Sequence, residues 1–210
     1  MWVLLVLSIV TVAIVIERLV FFASQHGDTK GLLKQIAQKI QADDLAGAIK
    51  VCQANKGMLP RILEFGLQRG EKNRADITDA LSIALMEHLN VLERNLGIIG
   101  TIAVIAPFVG LAGTVLGIIH AFDEIALKGN ASPAVVASGV SEALITTFSG
   151  LVVAVIAVIF FNYFKTRIKV YNQEMIVAAN QLAEILHFHN TGAPIPSELL
   201  AAPQPTQAPK

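Results

Sequence analysis

Residues 135–164 read VVASGVSEALITTFSGLVVAVIAVIFFNYF. The run is long enough to cross a bilayer, which takes about 20 apolar residues, and Glu142 is its only charge. Its first half mixes that carboxylate with hydroxyls and glycines, and its second half is almost wholly apolar. An ionised carboxylate at bilayer depth costs about 2.5–3.5 kcal/mol on insertion scales. Glu142 should therefore face a bundle interior or a water-filled cavity, or else lie near the boundary and reach solvent.

Two further runs match this one. Trp2 to Ala23 is apolar, and Leu96 to Phe122 contains no Asp, Glu, Lys or Arg. The chain has 210 residues, 54% of them hydrophobic and only 15% charged, and its mean hydropathy is +0.60. These values suit a polytopic membrane protein. A net charge of zero gives no basic surface for nucleic acid. The single cysteine, Cys52, excludes an intrachain disulfide framework and reads as a reduced thiol. A secretory signal opens with a basic n-region, whereas the first basic residue here, Arg18, follows the apolar core, so the first run reads as an anchor.

Basic residues mark the cytoplasmic side. They crowd the segment between the first two runs, from Lys30 to Arg94, and recur after the third as Lys165, Arg167 and Lys169, while only Lys128 lies between the second and third. The expected fold is an all-α membrane protein with three transmembrane helices, two of them extended far into the cytoplasm, and a helical cytoplasmic domain. The expected boundaries are 1–25 for the first span, 26–95 for the cytoplasmic domain and 96–122 for the second span. A periplasmic loop follows at 123–134, then the third span at 135–164, a cytoplasmic helical extension at 165–190 and a disordered tail at 191–210. Leu32, Leu33, Ile36 and Ile40 recur at helical spacing, Asp43 and Asp44 are cap candidates, and Gly57 with Pro60 breaks the chain. Ile77, Leu81, Leu85, Leu89, Leu92 and Leu96 form a stripe with no strong breaker after it, which predicts one continuous helix from about Asp76 to Phe122. Ile168, Met175, Ala179, Leu182 and Leu186 extend the third helix in the same way.

Within the second run, Gly110, Gly113 and Gly117 permit close helix contact, and Pro107 removes a backbone hydrogen bond and should kink the helix. Thr114 is its main central hydroxyl, open to a bond with the carbonyl one turn back. In the third run, Ser138, Glu142, Thr146 and Ser149 fall on one helical face, and Thr147 lies about 140° from Glu142. His120 reads as interfacial, and Glu17 and Arg18 as snorkelling groups at the end of the first span. His187 and His189 are two apart, which does not place them on one helical face, and no Cys or carboxylate partner is expected nearby, so no metal site and no cofactor is expected. The spans hold no serine–histidine, paired-aspartate or HExxH arrangement, which argues against an enzyme.

The stretches APFVGLAGTVLGIIHAF (106–122) and GVSEALITTFSGLVVAVIAVIFFNYF (139–164) closely resemble the ExbB/TolQ/MotA family of proton-channel subunits, most of all its ExbB and TolQ branch. ExbB-like chains often have a longer segment ahead of the first span, and the flagellar-stator branch has four spans against these three. The resemblance implies a motor subunit of the bacterial inner membrane, N-terminus periplasmic and C-terminus cytoplasmic. It implies a homo-oligomer, a pentamer, around two copies of an ExbD/TolR-like single-span protein. Proton flow at that boundary would drive a TonB- or TolA-like protein. It also places Thr114, Glu142 and Thr147 on or beside the proton path, with the carrier carboxylate on the partner. The helical wheel favours Thr146 over Thr147. The competing reading is a self-sufficient oligomeric ion channel.

Overall fold

The computed structural model describes residues 2–25, 29–70, 73–128, 133–196 and Leu199. Among them there are seven α-helices and no strand: α1 (Trp2–Ser24), α2 (Thr29–Gln41), α3 (Leu45–Ala54), α4 (Met58–Leu67), α5 (Arg74–Glu93), α6 (Leu96–Lys128) and α7 (Pro133–Thr191). The all-α expectation holds. Stretches of α1, α6 and α7 are long and apolar enough to cross a membrane. The chain divides into two compact units, one of Met1–Leu19 with Arg94–Thr166 and the other of Val20–Glu93 with Arg167–Lys210.

The second unit has a conventional apolar core. The predicted stripe of α2 is buried at Leu32, Leu33, Ile36 and Ile40, and that of α7 at Ile168, Met175, Ala179, Leu182 and Leu186. In α4, Gly66 lets Leu81 and Leu182 close over it, because a Cβ there would lie 2.7 Å and 3.2 Å from their methyl groups. Asp44 caps α3 by accepting the Gly47 N–H at 2.7 Å, as its position before the helix predicts. Gly57 caps α4 at φ 140°, a backbone region that glycine enters freely. The break expected at Gly57 and Pro60 is present, with α3 ending at Ala54 and α4 beginning at Met58; Pro60 itself opens the new helix. It lies in the first turn of α4, where a missing N–H costs no helical bond. His189, expected to be without a carboxylate, has its Nε2 3.3 Å from Asp43 Oδ1.

In the first unit, Leu7 and Val10 of α1 share a shallow recess with Ile98, Thr101, Ile102 and Ile105 of α6. The Thr11 hydroxyl, buried in the apolar surroundings of α1, donates to Leu7 O at 2.8 Å. Large apolar side chains stand exposed along all three helices of the unit, among them Val6, Ile9, Phe108, Val115, Phe148 and Ile159. A surface of this kind suits hydrocarbon or neighbouring helices.

Two expectations need correction here. The predicted continuous helix from Asp76 to Phe122 is broken at Arg94–Asn95, with Asn95 at φ 63°. Asparagine is one of the few residues that tolerate this left-handed region, and its amide is held from outside the helix, donating to Glu17 Oε2 at 2.9 Å. Arg94 donates to Glu17 Oε1 at 3.3 Å. The second correction concerns Arg18, which does not snorkel: its side chain is 1% exposed and donates to Glu17 Oε1 at 3.0 Å. Glu17 thus gathers two guanidinium groups and an amide on the turn that begins α6.

Helix α6 continues through Pro107 and past Phe122 to Lys128, and α7 begins at Pro133, so four residues, 129–132, separate them. The expected continuation of the third-span helix is present, with α7 running unbroken for 59 residues. It ends in a Schellman turn: Gly192, at φ 67°, donates its N–H to His189 O, and Ala193 donates to Phe188 O, both at 3.1 Å. Most of the predicted disordered tail, 197–198 and 200–210, lies outside the described residues.

Candidate proton-path site

Small residues bring α6 and α7 together in antiparallel register. A Cβ on Gly150 would lie 2.7 Å from Ala106 O, and one on Gly110 would lie 3.1 Å from Thr147 Cα. A Cβ on Gly117 would meet Ala143 Cβ at 2.7 Å, and one on Gly139 would meet Ala121 Cβ at 2.6 Å. Gly110 and Gly117 on α6 and Gly139 and Gly150 on α7 thus lie where the two helices approach closely. Backbones that approach so closely gain dispersion contact and interhelical hydrogen bonds, the forces that hold helices together in lipid.

The two adjacent threonines divide between roles. Thr146 is buried, with its methyl group in the space that Gly113 leaves open and its hydroxyl on Glu142 O at 3.3 Å. Thr147 donates across the seam to Gly110 O at 3.0 Å. Thr114 and Ser149 each bond within their own helix, to Leu111 O at 2.6 Å and to Ile145 O at 2.8 Å. Of the hydroxyls expected on one face of α7, Thr146 and Ser149 both bond the carbonyl one turn back on their own helix. Only the Thr146 methyl enters the seam.

One turn away, Ser138 and Glu142 of α7 meet His120 and Glu124 of α6 around a recess of about 380 Å³. Gly117, Ala121 and Gly139 complete its lining. His120 was legible only as an interfacial residue, and Glu124 was missed. The available signal was their four-residue spacing, which puts both on one face of α6. A recess bordered by small residues and polar groups offers water both space and partners. Among the described residues no group of three or more His, Cys, Asp or Glu side chains is placed to hold a metal ion.

Residues 54–176 match the model of the MotA/TolQ/ExbB proton channel family. The chain is similar to the biopolymer transport protein ExbB of Salmonella typhimurium, 32% identical over 187 residues that cover 85% of this chain and 77% of that protein. It is similar to a putative biopolymer transport protein ExbB homolog of Methanothermobacter thermautotrophicus, 34% identical over 62% of this chain and 50% of that protein. It is also similar to the Tol-Pal system protein TolQ of Haemophilus influenzae, 34% identical over 51% of this chain and 47% of that protein. With α6, most of α7 and their seam inside the matched segment, this chain belongs to the MotA/TolQ/ExbB proton channel family.

Proposed function

We propose that this chain is the ring-forming subunit of a motor in the bacterial inner membrane, driven by the proton-motive force. A pentamer of it would surround two copies of an ExbD/TolR-like single-span protein and energise transport or envelope maintenance through a TonB- or TolA-like protein. The family match over 54–176 carries this reading. The site adds chemical sense to it. Glu142 is exposed on the chain and borders a polar recess in an otherwise apolar surface, which suits a group that meets water or a partner carboxyl inside an oligomer.

On this reading Thr114, Glu142 and Thr147 border the path and supply its wall, and the proton carrier is the partner's carboxyl. The first span lies on the lipid side, and α6 and α7 line the cavity. The driving force is about 2.3 kcal/mol per charge per 100 mV, spent on moving packed helices between discrete arrangements. The chain itself acts as a channel wall and not as an enzyme.

The test is Glu142→Gln, which keeps shape and removes charge, in the complete complex. The expected result is an assembled ring, counted by native mass spectrometry, with transduction lost. Normal transduction at full membrane levels would return Glu142 to an interfacial role. Proton conduction by the isolated chain in liposomes would favour the self-sufficient channel.

A further inference from the structure

We propose that His120 and Glu124 form, with Ser138 and Glu142, a proton-collecting mouth that extends the path from Glu142 towards the α6–α7 connection. The inference rests on the reading that Glu142 borders the proton path, and it adds two residues to that path.

The composition of the recess is the first argument. Every side chain lining it is either titratable, hydroxylic, or no larger than a methyl group. Bulky apolar residues of the same helical turns, Ile118, Ile119 and Phe122, are exposed elsewhere on the helix surface. Register is the second. The close approaches of Gly117 to Ala143 and of Gly139 to Ala121 leave no large side chain between the helices at this level. The pair His120 and Glu124 on α6 thus borders the same space as the pair Ser138 and Glu142 on α7. Position is the third, because Glu124 lies one turn beyond His120 towards the end of α6 at Lys128, between Glu142's level and the connection.

Carboxylates at the mouth of a cleft raise the local concentration of cations, protons included, and imidazole both accepts and releases protons near neutral pH. A proton would pass from water to Glu124 or His120 and through recess water to Glu142. Only O–H and N–H bonds form and break, and each group returns to its starting state. The titratable groups facing the recess are His120 and Glu124 from α6 and Glu142 from α7; Asp123 stands exposed on the neighbouring position of α6.

The experiment measures proton flux with a pH-sensitive dye in vesicles carrying the complete complex, at external pH from acid to alkaline. The variants are His120→Asn, Glu124→Gln, the double variant, Glu124→Asp and Glu142→Gln, each checked for assembly on native gels. The double variant should assemble and conduct on the order of tenfold less than the parent at alkaline external pH, the lower end of what field focusing gives. At acid pH, where protons are plentiful, the difference should close, and Glu124→Asp should restore the parental profile. If the double variant fails to assemble, the near-isosteric Glu124→Gln alone carries the test. An unchanged pH profile, or an equal loss at every pH, overturns the mouth while Glu142→Gln still abolishes flux. Normal flux in Glu142→Gln overturns instead the path reading beneath it.

Discussion

The Thr147 hydroxyl on α7 donates to the Gly110 carbonyl on α6 at 3.0 Å. In α-helical register that carbonyl is also the acceptor for the Thr114 N–H four residues on. The two threonines expected on the path are thereby joined through one backbone oxygen, although their side chains point to different partners. Thr147→Val removes the interhelical bond at nearly constant volume, a net loss of about 0.5–1.5 kcal/mol. We expect Thr147→Val and Thr114→Val to lower proton-driven uptake or growth without loss of assembly. Thr146→Val should be milder, since its methyl groups still fill the space beside Gly113. Activity normalised to membrane protein level decides the order.

Glycines on the same helix should respond in opposite directions. A Cβ at Gly110 meets the backbone of Thr146 and Thr147 at 3.1–3.2 Å, whereas one at Gly97 meets nothing within 4 Å. Gly110→Ala should destabilise by about 1–3 kcal/mol through overpacking. Gly97→Ala should be neutral or stabilise by up to about 1 kcal/mol by removing unfolded-chain entropy. Thermal unfolding in detergent compares the two directly.

The break before α6 depends on a residue remote in sequence. Asn95→Ala loses the bond to Glu17 and places an ordinary residue in the left-handed region, at a cost of about 1–2 kcal/mol. Asn95→Gly loses the bond alone and should be milder. Glu17→Gln should weaken the attachment of the turn and increase cleavage at Arg94 by trypsin under native conditions. Equal stability of the Ala and Gly variants would show that the backbone conformation is not fixed.

The spans were legible because length and hydropathy suffice for them, and the continuation of α7 because its stripe at Ile168, Met175 and Leu182 keeps helical spacing. The break at Asn95 was hidden by the apolar stripe, which runs on through Leu96, and its stabilising carboxylate is 78 residues away in the chain. The wheel placed Thr146 on Glu142's face correctly as an angle. It could not know that Gly113 of another helix leaves room for the Thr146 methyl. Glu124 went unnoticed for the same reason: its neighbours on α7 follow from the register of the seam.

The cap of α3 carries a pH dependence. The Lys39 ammonium, 3.0 Å away, and then the Gly47 N–H hold the Asp44 carboxyl below its usual value. A depressed folded value means that the contribution is complete above the unfolded carboxylate range near pH 4 and is lost as pH falls through the folded value. Asp44→Asn keeps a capping oxygen and removes the charge. Its melting temperature should differ from the parent's at pH 7 and converge with it as pH falls through the folded value, below which both caps are neutral.

Cys52 is buried, and burial, assisted by the charge of Glu64, pushes its thiol up to about 12. Alkylation requires the thiolate. The folded protein should resist iodoacetamide at pH 8 and react readily in denaturant, as mass spectrometry would record. Rapid labelling under native conditions would place the α3 core in water.

Only four residues separate α6 from α7, and this governs how the protein enters a membrane during synthesis. A connection this short should favour entry of α6 and α7 as a hairpin. In such a hairpin Glu142 would enter beside His120 and Glu124, which border the same recess, and not as a solitary charge on a bare helix. The carboxylate that would argue against retention of the third apolar run would then arrive with its neighbours in place.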